Sequence, residues 1–172
     1  MAETVYEETL FAKRLTAILG VMTALLFGLI LFQVVVESES LQSTLGALSV
    51  ALFVLFAVLT VNFRRLHIRM TETDITIGYG IFTTTVPWER VTGCREDTNS
   101  VVRYGGWGIR VTRIGGDWRL VYNTMGDPRV VLGVANGRFG EISFSTAHPE
   151  KVIDVVSQHA EGTEQSEMSA FE

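Results

Sequence analysis

Two uncharged apolar runs constrain this chain more than any other feature. Leu15–Val36 (LTAILGVMTALLFGLILFQVVV) holds 22 residues without a charge, and Thr44–Phe63 (TLGALSVALFVLFAVLTVNF) holds 20. A bilayer core of ~30 Å is crossed by about 20 helical residues rising ~1.5 Å each. Both runs fit that length, and the first is longer than the ~7–15 residues of a cleaved signal's apolar region. The expectation is a retained two-helix transmembrane hairpin (residues 15–63; spans 15–36 and 44–63), closed by the short linker VESESLQS. Lys13 and Arg14 precede it, Arg64, Arg65 and Arg69 follow it, and the linker carries only Glu37 and Glu39. The distribution of Lys and Arg predicts both termini in the cytoplasm of a cell with this protein in its plasma or inner membrane. Arg64, Arg65 and Arg69 are also candidate contacts for anionic lipid headgroups.

Gly20, Ala24 and Gly28 recur every four residues in the first span. They form a small-residue stripe suited to helix packing, either within the hairpin against Ala47 and Ala51 or between copies of the chain. No Asp, Glu, Lys, Arg or His interrupts either span, which argues against a pump or transporter. Gln33 and Asn62 sit near the span ends and read as structural.

The composition excludes other classes. Of 172 residues, 14 are Lys or Arg and 19 are Asp or Glu, a net charge of −5. That is unsuited to general nucleic-acid binding. The single cysteine, Cys94, permits neither an intramolecular disulfide nor a cysteine zinc cluster. It reads as a small core residue, although the neighbouring Arg95 would favour its thiolate. His67, His148 and His159 are too few and too scattered for a histidine metal site. With no paired carboxylates and no nucleophile–base order, the sequence predicts a non-catalytic protein without metal or cofactor.

Residues 1–14 read as a cytoplasmic N-terminal segment. Residues 64–160 read as short strands divided by turns: Arg65–Met70, Ile75–Tyr79, Ile81–Val86, Val91–Arg95, Ile109–Arg113, Trp118–Tyr122, Arg129–Val134 and Phe139–Phe144. Ile114–Asp117 (IGGD) and Ala135–Arg138 (ANGR) are hairpin signals. Pro149 and Glu150 open an amphipathic helix with Val152, Ile153, Val155 and Val156 on its apolar stripe. That helix is expected to end near Ala160, with His159 at its C-terminal dipole. The acidic residues 161–172 read as a disordered tail. The result is a membrane α-hairpin plus a mainly-β domain of about seven antiparallel strands and one C-terminal helix.

The stretches TETDITIGYGIFTTTVPWERV, YGGWGIR, LVYNTMGDPRVVLGVANGR and STAHPEKVIDVV resemble the bacterial and archaeal pleckstrin-homology-like (bPH) domains that follow two N-terminal membrane helices. The resemblance covers roughly Arg64 to His159, with YGGWGIR its most specific piece. It implies a PH-like fold at a membrane. It does not imply one activity.

Within YGGWGIR, Tyr104, Gly105, Gly106, Trp107, Gly108 and Arg110 form a candidate partner-binding loop. Tyr, Trp and Arg dominate binding hot spots, and the glycines allow positive φ. The competing reading is a structural corner in which Trp107 plugs the end of the sandwich. Pro87-Trp88-Glu89-Arg90 reads as a core anchor, Trp88, beside a solvated Glu89/Arg90 pair. The Thr71–Asp74 connection carries two carboxylates and no basic residue, which disfavours specific phosphoinositide binding. The expected function is a tethered adaptor or regulatory subunit for another membrane protein, with self-association open. The alternative is a lipid or small-ligand sensor using the mouth of the β domain or the juxtamembrane arginines.

Overall fold

A computed structural model describes residues 3–36 and 44–169. The linker residues Glu37 and Glu39 and the last three residues of the expected tail lie outside them. The described chain forms two compact units, Ala12–Arg64 and the segments on either side of it.

The first unit is a helical hairpin, α1 (Lys13–Val36) and α2 (Thr44–Asn62). Both helices are long and apolar enough to cross a membrane. Ile18, Leu25, Phe32, Leu45 and Val58 are all more than half exposed. The helices run antiparallel. Thr23 Oγ1 lies 3.2 Å from Thr60 Oγ1, the Phe27 and Phe53 ring centroids are 5.8 Å apart, and Gln33 Nε2 donates to Ser49 Oγ at 3.4 Å. The Gly20/Ala24/Gly28 stripe does not face α2. Ala24 and Gly28 are exposed, and a Cβ built at Gly20 or Gly28 meets nothing within 4 Å. The expected packing of Gly28 near Ala47 and Ala51 is therefore corrected. The small residues buried in α2 are Gly46 and Ser49.

The second unit is mostly β. Sheet A has the order β1-β2-β3-β4, with β1 Thr4–Phe11, β2 Arg65–Thr71, β3 Asp74–Tyr79 and β4 Phe82–Pro87. Sheet B has the order β5-β8-β9-β7-β6, with β5 Val91–Glu96, β6 Gly108–Ile114, β7 Asp117–Asn123, β8 Arg129–Val134 and β9 Glu141–Ser145. Nine strands replace the expected seven or so, and β7 pairs with β9 in parallel rather than antiparallel. The strand the sequence reading lacks is β1. It pairs antiparallel with β2, from Phe11↔Arg65 to Glu7↔Arg69 and on to Thr4↔Thr71. Residues 4–11 of the expected N-terminal segment are thus a strand of the β unit, and the arms before and after the hairpin join in one sheet.

Period-two alternation decides which side chains enter the core. Leu66, Ile68 and Met70 of β2 and Ile75, Ile77 and Tyr79 of β3 are fully buried, while Arg65, His67 and Arg69 point outward. Tyr79 donates from its hydroxyl to the Asn123 carbonyl at 3.0 Å, and Thr84 Oγ1 lies 2.6 Å from the Tyr122 hydroxyl, tying sheet A to sheet B. The IGGD turn acts as expected, whereas ANGR opens a longer connection and β9 starts at Glu141 rather than Phe139. Gly115 (φ 68°) and Gly116 (φ 104°) form the two-residue loop between β6 and β7, where positive φ at both positions suits the twist of a hairpin.

The closing helix, α3 (Pro149–Ser169), runs past its expected end near Ala160 into the segment read as disordered. Glu, Gln and Met in that segment are good helix formers, and one Gly costs only about 1 kcal/mol. His159 therefore lies within the helix. Its ring stacks on Trp88 with centroids 4.4 Å apart, and Val152 and Val156 are fully buried. Trp88 is the expected anchor, buried and donating from Nε1 to the Thr71 carbonyl at 2.8 Å. Arg90 is not half of a solvated pair: its Nε donates to the Ala135 carbonyl at 3.1 Å.

Glu8 of β1 joins the two ends of the unit. Its Oε1 accepts the Ala147 backbone N–H at 2.7 Å, and its Oε2 accepts the Thr146 hydroxyl at 2.6 Å and the Tyr6 hydroxyl at 2.8 Å. Hydrogen bonds to a charged group contribute ~1.5–3 kcal/mol each when partners are left unsatisfied, and less where water replaces them. Glu8→Ala should cost about 2 kcal/mol. It should also speed hydrogen exchange at the Ala147 amide and along β1, while leaving the β6–β7 amides at their wild-type rates.

Candidate functional site

The candidate loop begins where β5 ends. Asp97 continues the ladder for one residue, its N–H donating to the Arg129 carbonyl at 2.9 Å. Its side chain then turns the chain. Asp97 Oδ1 accepts the Asn99 backbone N–H at 3.1 Å and its Nδ2 at 3.0 Å, an Asx-type turn. A short 3-10 turn, Val101–Tyr104, follows. Gly105, Gly106 and Gly108 then take φ of 74°, 112° and 85°, which non-glycine residues rarely adopt, and lead into β6. Asn123 Nδ2 holds the bend by donating to the Gly106 carbonyl at 3.1 Å.

This geometry divides YGGWGIR. Tyr104 is 2% exposed and is the plug. Trp107 is 42% exposed and plugs nothing, so the structural-corner reading is corrected in its choice of residue. Arg110 is exposed on β6, and its guanidinium reaches back to 3.9 Å from where a Gly106 Cβ would stand. Trp107 and Arg110 are therefore presented outward by a bend whose base is fixed.

What fixes the base is a buried polar cluster that the sequence reading did not contain. Asp97 Oδ2 accepts the Tyr104 hydroxyl at 2.6 Å, the Ser143 hydroxyl at 2.8 Å and Arg129 Nε at 3.4 Å. Arg119 donates from NH1 to the Tyr104 oxygen at 2.5 Å and binds Glu141 through Nε at 2.8 Å and through NH2. Arg95 meets the other Glu141 oxygen at 2.5 Å. Arg129 also donates to the Asn99 carbonyl. The guanidinium carbons of Arg119 and Arg129 lie 5.8 and 5.3 Å from the Tyr104 ring centroid. The Asp97 side chain is wholly buried, and those of Arg119 and Arg129 are only 3% and 8% exposed.

The titration shifts follow from these contacts. Burial pushes the Asp97 carboxyl up, but donors from Tyr104, Asn99 and Ser143 outweigh it and hold the group down at about 2. The Tyr104 hydroxyl is pushed up by burial and by Asp97. Burial opposes the charge on Arg119, yet Glu141 and Tyr104 keep it charged and raise its pKa. Each charged group of the cluster is thus engaged by a neighbour, and together they hold the base of the loop. Burial pushes the Cys94 thiol up to about 12 despite Arg95, which makes it a poor nucleophile at neutral pH.

Arg65 and Arg69, which follow α2, do not converge. Arg65 and Arg69 lie about 13 Å apart along β2, Arg65 with its guanidinium 4.9 Å from the Phe11 ring centroid and Arg69 donating to Thr4 Oγ1 at 3.1 Å. Arg64 is exposed and belongs to the hairpin unit. His67 lies between Arg65 and Arg69, 3.1 Å from Thr9 Oγ1. Among the described residues, no group of three or more His, Cys, Asp or Glu is placed to hold a metal.

A cleft of about 300 Å³ opens beside the cluster. Gly93 and Gly133, which face each other across the β5–β8 ladder, line it together with Thr92, Arg95 and Glu141. Comparisons with protein-family models, with curated proteins and with solved structures return no match for this chain.

Proposed function

We propose that this chain is a membrane-anchored, non-catalytic interaction module of PH-like type, acting as an adaptor or regulatory subunit for another membrane protein. Its termini face the cytoplasm, and α1 and α2 are its two spans. The observation that carries the reading is the rigid presentation of Trp107 and Arg110. Two hot-spot side chains project from a bend held by a buried, fully engaged cluster, so little ordering entropy is lost when a partner binds. The β-rich unit and its closing helix support the PH-like assignment, while the parallel β7–β9 pair departs from an all-antiparallel layout. Confinement under one bilayer would raise the module's effective concentration for partners in that membrane.

In-membrane crosslinking of the full chain, followed by mass spectrometry, tests the proposal. The expected result is a defined membrane protein captured by the wild type and lost from the Trp107→Ala/Arg110→Ala variant. Both side chains are exposed, so the variant should unfold within about 0.5 kcal/mol per site of the wild type. Undiminished capture by that folded variant would remove the loop from the interface.

The glycine-lined cleft favours a second reading, a small-ligand sensor, because its volume is at the lower end of ligand pockets. A sensor predicts ligand-dependent thermal stabilisation of the isolated protein, whereas the adaptor is stabilised only by its partner.

A further inference from the structure

One edge of sheet B is open and has a marked composition. Among the described residues the sheet ends on β6, whose one strand partner is β7. Ile109, Val111 and Arg113 lie on one face, opposite Tyr122, Leu120 and Trp118, and Arg110 and Thr112 lie on the other. Val111 and Trp118 are each 52% exposed, and Trp107 projects just before the strand. A strand edge protected against all pairing carries charge or proline and little exposed apolar surface. This edge has the charge but keeps the apolar face.

The charge has one sign. Arg103, Arg110 and Arg113 lie on or beside β6, and among the described residues none has a carboxylate within 4.0 Å. Arg113 Nε is bound to the Gly116 carbonyl and Arg103 NH1 to Asn99 Oδ1, both neutral acceptors. In a chain of net charge −5 these cations are locally unbalanced. They select the occupant. A second β6 edge would bring two sets of these arginines together with no carboxylate between them, which is unfavourable. An anionic bilayer would satisfy the arginines and tryptophans but leave the outward N–H and C=O groups of the strand without partners.

We propose that β6 is a docking edge for an extended, acidic segment of a partner protein, added to sheet B as a further strand. Backbone hydrogen bonds supply the pairing, one carboxylate lies opposite Arg110, and apolar side chains cover Val111 and Trp118 on the other face, with a second carboxylate near Arg113. This rests on the interaction-module reading and names the chemistry of its partner.

The test uses full-length protein in nonionic detergent with three probes. They are a capped octapeptide of Glu and Val whose two Glu stand three positions apart, so that one can oppose Arg110 and the other Arg113 on the opposite face, its Lys–Val counterpart, and phosphatidylcholine vesicles with and without phosphatidylserine. Backbone hydrogen exchange is the readout, because strand addition protects outward-facing amides that a contact through charge alone leaves exchanging. Added protection within residues 108–114 is expected with the Glu–Val peptide and not with the Lys–Val peptide. Arg110→Glu/Arg113→Glu should weaken the Glu–Val effect by roughly tenfold, while its β6–β7 amides without peptide stay protected as in the wild type. No added protection in folded wild type at millimolar peptide would overturn the docking edge. So would a fluorescence change with phosphatidylserine vesicles in the absence of any peptide effect, which would make the bilayer the occupant, or concentration-dependent protection without peptide, which would make it a second copy. Failure here alongside capture of a partner in the crosslinking experiment leaves the adaptor standing and removes only β6 as its edge. Failure of both removes the adaptor reading.

Discussion

Asp97→Ala is expected to destabilise the β unit by about 3–5 kcal/mol, the magnitude typical of removing one partner from a buried charge pair. The substitution leaves the Tyr104 and Ser143 hydroxyls facing an empty site and takes from buried Arg129 the one carboxylate it meets among the described residues. Asp97→Asn keeps the shape and removes the charge, so it separates packing from electrostatics. The wild-type carboxyl titrates at about 2 in the folded protein against an ordinary 3.8. The unfolded chain therefore binds more protons between those values. The stabilisation from this group is complete above about pH 4 and is lost as pH falls to about 2, and a shift of this size corresponds to roughly 2 kcal/mol. Urea titrations of the full chain in nonionic detergent at neutral pH and through that acid window would measure both effects. Wild type should lose stability across the window, and Asp97→Asn should be less stable at neutral pH with a flatter acid slope. Equal slopes would mean that Asp97 is not the buried acceptor described here.

The same cluster marks the limit of what the sequence made legible. The uncharged runs, eight of the nine strands, the Gly115-Gly116 turn and the Pro149 helix start could be read because each is set by neighbours within a few residues. Asp97 looks like an ordinary turn residue in EDTNS, and Arg119 and Arg129 look like solvent-side charges on alternating strands. Apart from Asn99 and Tyr104, which lie close to Asp97 in the chain, their partners stand 15 to 46 residues away, and the sheet order brings them together. β1 was hidden for the same reason. Tyr6, Glu8 and Leu10 repeat at period two, but the strand they pair with lies beyond the whole hairpin, at Leu66, Ile68 and Met70. In YGGWGIR the residue types were informative and the orientations were not. Positive φ at three glycines sends Tyr104 inward and Trp107 outward, and no periodicity rule reports that reversal. For the Gly20/Ala24/Gly28 stripe the expected packing within the hairpin is what the structure overturns: the spacing is real, but spacing does not say which neighbour a helix face meets.

Glycine substitutions turn that last point into a measurement. Gly78→Ala should be severe, about 3 kcal/mol or more, whereas Gly28→Ala should be neutral or stabilising by up to ~1 kcal/mol through helix propensity. A Cβ at Gly78 would stand 2.2 Å from the Phe82 carbonyl oxygen and 2.5 Å from the Thr83 Cα. Both are backbone atoms of β4, held opposite β3 by the pairs Tyr79↔Phe82 and Gly78↔Thr83, so no rotamer change can make room. Relief requires β4 to move away from β3. That would pull Thr84 from Tyr122 and disturb the approach of Trp88 to Thr71, two of the contacts that join sheet A to the rest of the β unit. Gly133 shows why proximity alone does not decide the outcome. A Cβ there would stand 2.3 Å from Thr92 Oγ1, the tip of a side chain that can rotate away, so Gly133→Ala should cost much less than Gly78→Ala. Urea unfolding of the three variants in one detergent would rank them. If Gly78→Ala were no worse than Gly133→Ala, β4 would have room to shift, and the tight β3–β4 hairpin would not be what holds sheet A in register.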